Sequence, residues 1–455
     1  MNKMDIYNRL PVFAQNLACY VEGRRIKRDR YSNDFWHYLK DYEKRSGWSY
    51  EKLLSYQNSK LQQMIKHCYE TVPYYGELFD KLGLDYRTIK SKEDLRVLPS
   101  LTKDRVKKDP EKFISKVIPK SKLKIHPTGG TTGSGLAFYT TDEEEAEQWA
   151  VWWKFRKNLG IEFDMWCGNF GGKTVVPINH KKPPFWRINI PGKQVYFSGY
   201  HLNENTVKYY VEEIRRRNLQ WLHGYPSNLA TLASYMLSSG ITLDIKFVTI
   251  GSENLYDFQS DIIYQAFNTV PYQHYGLTEG VANISQNTKG EFVVDEDFSV
   301  VEFIPNVETS SYSIIGTTLT NWAMPLIRYD TGDLATIDEE EPNKIQMGGR
   351  RVSGINGRTN EYVVLRDNSK VSSAALSLVF KDLIEISEVQ IIQKSKDKII
   401  IKVVKTETYS QYVEKRMTKA LRERLGNDMK ISYQYVDKIS RTSSGKVRLV
   451  ISEIS

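Results

Sequence analysis

Residues 207–217 read VKYYVEEIRRR and residues 245–251 read IKFVTIG. The first repeats its apolar residues at helical spacing. The second is a short apolar and β-branched run closed by glycine, the pattern of a buried strand. SYSIIGTTLT (311–320) is a further short run of this kind. From about residue 121 to 355 such runs alternate with helical stretches, with glycine at the joints. That alternation predicts an α/β fold with a largely parallel sheet. Upstream, residues 1–120 read as mostly helical and basic. Leu53, Leu54, Leu61, Met64 and Ile65 keep a helical spacing that VPYYGELF (72–79) breaks at Pro73. Downstream, from about 361 to 455, the order is strand, helix, strand pair, helix, strand: EYVVL, SSAALSLVFKDL, EVQIIQK with KIIIKVV, YVEKRMTKALRERL and ISYQYV. This predicts a compact α+β domain. No internal repeat or biased tract interrupts the chain.

The 455 residues are 40% apolar and 26% charged, which excludes a disordered chain and is long enough for a full core without staples. The charge balance is 64 − 55 = +9, an excess suited to nucleic acid, a membrane face or a phosphorylated ligand. Basic and aromatic residues are dispersed without a nucleic-acid module signature, so no nucleic-acid partner is expected. The three cysteines, Cys19, Cys68 and Cys167, form no CxxC pair, and the seven histidines show no ligand spacing. Neither a disulfide framework nor a zinc site is expected. No run of 18 apolar residues occurs, and Gln15 and Asn16 interrupt the apolar part of the N-terminus, against a secretion signal. A cytoplasmic location is expected, as a monomer or homodimer.

Ile6, Leu10, Phe13 and Leu17 recur at helical spacing just before the basic run RRIKRDR (24–30). The favoured reading is a core-facing stripe with a solvated end. The alternative is peripheral contact with an anionic membrane through this basic N-terminus.

TGGTTGSG (128–135) is the densest Gly/Thr cluster in the chain. Gly129, Gly130, Gly133 and Gly135 open backbone conformations that let N–H groups converge on an anion, and Thr128, Thr131, Thr132 and Ser134 add hydroxyl donors. It is neither a Walker loop nor G-x-G-x-x-G. Read by itself it is a phosphate cradle or a plain tight turn.

This loop resembles the phosphate loop of adenylate-forming enzymes: acyl-CoA synthetases, peptide-synthetase adenylation domains and luciferases. Four further segments resemble that family's motifs in its order: YGLTEG (275–280), RYDTGDL (328–334), GRTNEY (357–362) and RTSSGKV (441–447). The five span about 320 residues. LQQMIKHCYETVPYYGELFDKLG with SKEDLRVLPSLTKDRV is similar to the N-terminal part of the phenylacetate–CoA ligase-like branch. LPVFAQNLACYVEGRRIKRDRY and LHGYPSNLATLA (222–233) resemble its CapK-like members, found with bacterial surface-polysaccharide genes.

The resemblance implies a large domain, with residues 1–120 as its helical N-terminal part and 121–356 as the nucleotide- and acyl-binding core. It also implies a hinge at 357–361 and a mobile lid at 362–455. Thr128, Gly129, Gly130, Thr131, Thr132 and Gly133 would hold the phosphates of ATP. Glu279 would be the Mg²⁺ ligand and Thr278 would touch the α-phosphate. Asp333 would accept the ribose hydroxyls, and Arg358 would lie near ribose and phosphate. Tyr275, Gly276 and the Gly251, Ser252 and Glu253 segment would line the adenine site. Lys446 would be the mobile ammonium of the adenylation step. His223, Gly224 and Tyr225 would contribute to the acyl pocket. His274 and His223 each carry two readings, a pocket wall or a satisfied structural histidine.

Two positions depart from the branch. Asn360 stands at the hinge where aspartate is usual. Asn368 and Ser369 stand where the CoA ligases carry glycine, which leaves CoA open. The implied activity is an ATP- and Mg²⁺-dependent, carboxylate-activating ligase that releases pyrophosphate. Its substrate would be a carboxylic acid or amino acid. Its acceptor would be a sugar amine or hydroxyl, a carrier-protein thiol or CoA. The alternative is a catabolic aryl- or acyl-CoA ligase.

Overall fold

A computed structural model describes residues 3–127, 137–306, 311–337, 348–358, 361–380, 383, 385–442 and 445–454. The chain is mixed α/β and divides into two compact units. The first comprises residues 1–27, 161–273 and 357–455, and the second residues 28–160 and 274–356.

In the first unit the strands Gln194–Phe197, Cys167–Phe170, Trp221–Gly224 and Phe247–Ile250 lie side by side and parallel, followed by the start of Pro271–Gly276. Trp186–Asn189, on the edge, runs antiparallel to Gln194–Phe197. The four residues of Phe247–Ile250 are all buried, as the unbroken apolar run anticipates for a strand covered on both faces. Helix Val207–Arg216 buries Val207, Tyr210, Val211 and Ile214, its periodic apolar stripe, into the core that also holds Val195, Leu222 and Val248. Helix Pro226–Ser238 starts with proline at its first turn, where the missing N–H costs nothing. It is buried on all sides, because the sheet core covers one face and strand Ile386–Ser395 lies against it through a Thr231–Glu388 contact of 3.2 Å.

The C-terminal part of this unit carries a four-stranded sheet in the order Lys430–Tyr435, Lys398–Lys405, Ile386–Ser395, Val450–Ser452. Helix Gln411–Leu425 covers it with Val413, Met417, Leu421 and Leu425, a strict four-residue repeat. Two details differ from the sequence reading. Val450–Ser452 is a strand, paired in parallel to Ile391–Gln393; three residues carry too little pattern to announce themselves. The helix expected over SSAALSLVFKDL runs only from Ser373 to Ser377 before tightening into a 3₁₀ turn at Leu378–Phe380.

The second unit is helical at its start and antiparallel in its strands. Pro73 does end helix Tyr50–Thr71, yet it also opens helix Pro73–Leu82, whose own end is Gly83 at φ 63°. Helix Asp142–Asn158 begins with a capping box, Thr141 Oγ1 accepting from the Glu144 N–H and Glu144 accepting from the Thr141 N–H at 2.7 Å. Ser299–Pro305, Tyr312–Thr318 and Tyr329–Thr336 form an antiparallel sheet. SYSIIGTTLT therefore belongs to an antiparallel layer and not to the parallel sheet, a distinction its apolar run does not encode.

The N-terminal stripe corrects the favoured expectation. Helix Val12–Arg30 buries Gln15, Cys19 and Gly23, while Ile6, Leu10, Phe13, Leu17 and Val21 are exposed. The polar face turns inward because Gln15 Oε1 accepts from Arg187 Nε at 2.6 Å and Asn16 Oδ1 from the Ile188 N–H at 3.0 Å.

Candidate active site

The parallel strands of the first unit end on one edge of their sheet, the place where open α/β sheets bind ligands. Gly224 ends one of them. A Cβ there would lie 2.7 Å from the Phe170 backbone, so the neighbouring strands meet at a distance only glycine permits. His223 is tied across to the next strand, its Nδ1 3.0 Å from Thr249 Oγ1, which also accepts from Trp221 Nε1 at 2.8 Å. The geometry favours the structural reading of this histidine. Tyr225 follows, its N–H donating to Phe170 O at 3.4 Å. Beyond Ile250 the chain turns through Gly251 and Ser252, the latter at φ 70°, and presents Glu253. Burial pushes the Glu253 carboxyl up, and it accepts from the Ser227 N–H at 3.2 Å.

The other oxygen of Glu253 accepts from the Val447 N–H at 2.8 Å. This bond seats the Lys446 loop at the carboxyl edge of the parallel sheet. Gly445, at φ 80°, faces Gly172 so closely that an added Cβ would lie 3.1 Å from its Cα and 3.6 Å from the Tyr200 hydroxyl. The loop closes on itself: Thr442 Oγ1 accepts from the Lys446 N–H at 3.1 Å, and the Gly445 N–H donates to Thr442 O at 2.8 Å. Lys438 strengthens the seat by donating to Tyr200 O at 2.8 Å. The stretch WCGNFGGK (166–173), which holds Gly172, is an expected contributor to the pocket from sequence, whereas Tyr200, Ser227 and Lys438 were not singled out as site residues.

Gly357 lies in the same unit, at φ 84°, with Asn254 where a Cβ would stand. The backbone of Arg358 continues that strand; its side chain, Asn360 and loop 128–136 lie outside the described residues. Asn368 adopts φ 69° in the turn between Tyr362–Val364 and Lys370–Ser372, so asparagine supplies the left-handed conformation that glycine gives elsewhere.

The second unit holds the remaining candidates. The Tyr275 hydroxyl donates to Asp333 Oδ2 at 2.9 Å. Asp333 is presented by a turn in which Gly332 takes φ 71° and Thr331 Oγ1 accepts from the Asp333 N–H at 3.1 Å. Glu279 is buried two turn residues after Leu277; burial pushes its carboxyl up, and Tyr329 donates to it at 3.4 Å. Thr278 is exposed on the same turn. Gly276 has no room for a side chain, with Asn283, His274 and Trp152 atoms 3.0–3.2 Å from a Cβ.

His274 is held by Asn283 Oδ1 at 2.9 Å and ringed by Trp152 and Phe155. Burial, then nearby Arg156, pushes its imidazole down to about 3. This neutral histidine fits the satisfied structural reading. Behind it runs a buried chain of charges: Asn283 donates to Asp295 at 2.7 Å, Lys154 bridges Asp295 and Asp297 at 3.0 and 3.3 Å, and Arg45 pairs with Asp297 at 2.8 Å. Arg328, which opens RYDTGDL, is also structural. It grips Glu302 in a fork of two 3.0 Å bonds and donates to Leu98 O.

The model of the CapK C-terminal domain matches residues 363–453. The chain is 28% identical to protein CapK of Staphylococcus aureus over 99% of both proteins. It is 22% identical to a phenylacetate–coenzyme A ligase of Thermus thermophilus, covering 88% of this chain and 96% of that one. These similarities support the resemblance to the adenylate-forming enzymes, in the phenylacetate–CoA ligase-like branch with the CapK-like members. The fold of the chain is shared with a crystal structure of 2-hydroxyisobutyryl-CoA ligase in its postadenylation state. The TM-score is 0.65 at 15% identity, over 87% of this chain and 89% of that one.

Proposed function

We propose that the enzyme activates a carboxylate with ATP and hands the acyl group to an acceptor in bacterial surface-polysaccharide assembly. A carboxylate oxygen attacks the α-phosphorus, the bond to the β-phosphate breaks, and pyrophosphate leaves an acyl-adenylate. Two anions meet and charge builds on phosphorus oxygens, so fixed donors and a cation are needed where it develops. The observation that carries this reading is the seating of the Lys446 loop by Glu253 and Gly172 at the carboxyl edge of the parallel sheet. Lys446 is the ammonium for that charge. Residues 128–133 cradle the phosphates, Thr278 touches the α-phosphate, and Arg358 assists at ribose and phosphate. Asp333, its carboxylate oriented by Tyr275, receives the ribose hydroxyls. Gly251–Glu253, Tyr275 and Gly276 border the adenine site, and Gly224 and Tyr225 the acyl site, with His274 and His223 as structural histidines beside them. Residues 362–455 act as the lid, pivoting at Asn360.

Among the described residues no group of three or more His, Cys, Asp or Glu could hold a metal ion. A Mg²⁺ brought in on ATP would need only one protein carboxylate and would draw its other oxygens from phosphate and water. Glu279 is that carboxylate, and the ion would offset charge on the phosphates.

The acid and the acceptor are found by a pyrophosphate-release screen over amino, aryl, hydroxy and fatty acids, with and without CoA. Acid-dependent release that Lys446→Ala lowers by about a hundredfold or more is the expected result. Undiminished exchange in that variant would overturn the assignment. Release coupled to thioester formation only when CoA is added would identify CoA as the acceptor.

A further inference from the structure

We infer that the N-terminal helix and two neighbouring loops form a surface that docks on an anionic lipid bilayer. Phe13, Leu17 and Val21 follow one another every four residues along helix Val12–Arg30 and are 75%, 61% and 61% exposed. The face that meets the protein lies about 200° around the helix, two residues on. It consists of Gln15, Cys19 and Gly23, fixed by the bonds to Arg187 and Ile188 and by Asn189 packed against Gly23. The helix is therefore turned with small residues and Gln15 inward and bulky apolar ones outward, and its inward face is already packed. Rotating it to hide the stripe would break those bonds.

The apolar surface extends beyond the helix. Tyr7 donates to Val175 O at 2.7 Å, and the loop it touches exposes Ile178 at 66%, followed by the exposed Lys181 and Lys182. Asn189, packed on Gly23, is followed by Ile190 at 56% exposure. Bulky apolar groups from three segments thus share this region, more than a scatter of single exposed side chains.

The charge around them selects the occupant. Residues 165–203 contain four lysines and no acid, and their one arginine, Arg187, is buried against Gln15. On the helix, exposed Arg24, Arg25 and Lys27 follow the apolar stripe, with Arg25 paired to Glu22 at 2.6 Å. Apolar side chains rimmed by bases match the boundary between acyl chains and anionic headgroups, where both contributions add. No helix among the described residues is long and apolar enough to cross a membrane, so the contact lies in the interface plane.

The test is flotation of the full chain with vesicles of phosphatidylcholine containing phosphatidylglycerol, and of phosphatidylcholine alone, at low and high salt. The expected result is binding to the anionic vesicles that salt weakens. The triple variant Phe13→Ser, Leu17→Ser, Val21→Ser should weaken partitioning by about tenfold or more at an unchanged thermal midpoint. Arg24→Gln with Lys27→Gln should lower affinity for the anionic vesicles and flatten the salt dependence. The idea fails if the wild type ignores both vesicle types, if neither variant alters flotation, or if lipid-free sedimentation shows a dimer that the triple variant dissociates. That last outcome would give the stripe to a second copy of the chain.

Discussion

Gly445 combines two demands, a φ of 80° and contact with the Gly172 backbone. A non-glycine residue in the left-handed region costs roughly 1–2 kcal/mol, and here a Cβ also crowds a main-chain atom. Gly445→Ala is expected to unseat the Lys446 loop. Acid-dependent pyrophosphate exchange should fall while the global unfolding midpoint moves little, and equal exchange in the variant would refute this. His274 makes a pH prediction. Its imidazole sits near 3 in the fold and near the ordinary 6.5 when unfolded, so the unfolded chain binds the extra proton between those values. Its contribution is complete above about 6.5 and is lost as pH falls toward about 3, at up to ~1.4 kcal/mol per pH unit. His274→Asn should flatten the pH dependence of denaturant unfolding across that window.

At the scale of elements, Glu388 joins the C-terminal sheet to helix Pro226–Ser238. It accepts from Arg441 Nη2 at 2.9 Å, the Ile439 N–H at 3.1 Å and Thr231 Oγ1 at 3.2 Å. Both charged side chains are nearly buried, so removing the carboxylate strands a guanidinium. Glu388→Ala is expected to cost about 3–5 kcal/mol of local stability. Limited proteolysis would register it as faster cleavage between residues 357 and 455, and unchanged cleavage would count against this joint. The sequence announces neither end of the pair as special, because Glu388 and Arg441 are 53 positions apart.

For the whole molecule, ligand binding is the sharpest probe. Mg²⁺·ATP at about a hundred times its Kd should raise stability by ~2.7 kcal/mol, seen as a rise in thermal midpoint. EDTA should remove the part of that rise carried by the ion, and Glu279→Gln should shrink it. An EDTA-insensitive shift, equal in the variant, would exclude Glu279 from the metal's surroundings. Of the +9 charge, the nucleotide motifs use only a few basic side chains, and others border the exposed apolar helix.

What the sequence determined by itself was local or collinear. The periodicity of 207–217 and the run 245–251 announced a helix and a buried strand, and the order of five motifs announced the resemblance to adenylate-forming enzymes that the relatives support. These signals survive because spacing along the chain sets which side of an element is apolar. Tertiary structure decided whatever depends on a distant partner. The inward face of the N-terminal helix was chosen by Arg187 and Ile188, over 170 residues away, against the apolar stripe that spacing favours. The neutrality of His274, the structural duty of Arg328 and the seating of Lys446 by Glu253 likewise come from partners that meet only on folding. A hydrogen bond or a buried charge is specified by where two groups come together, and that is a property of packing, not of spacing.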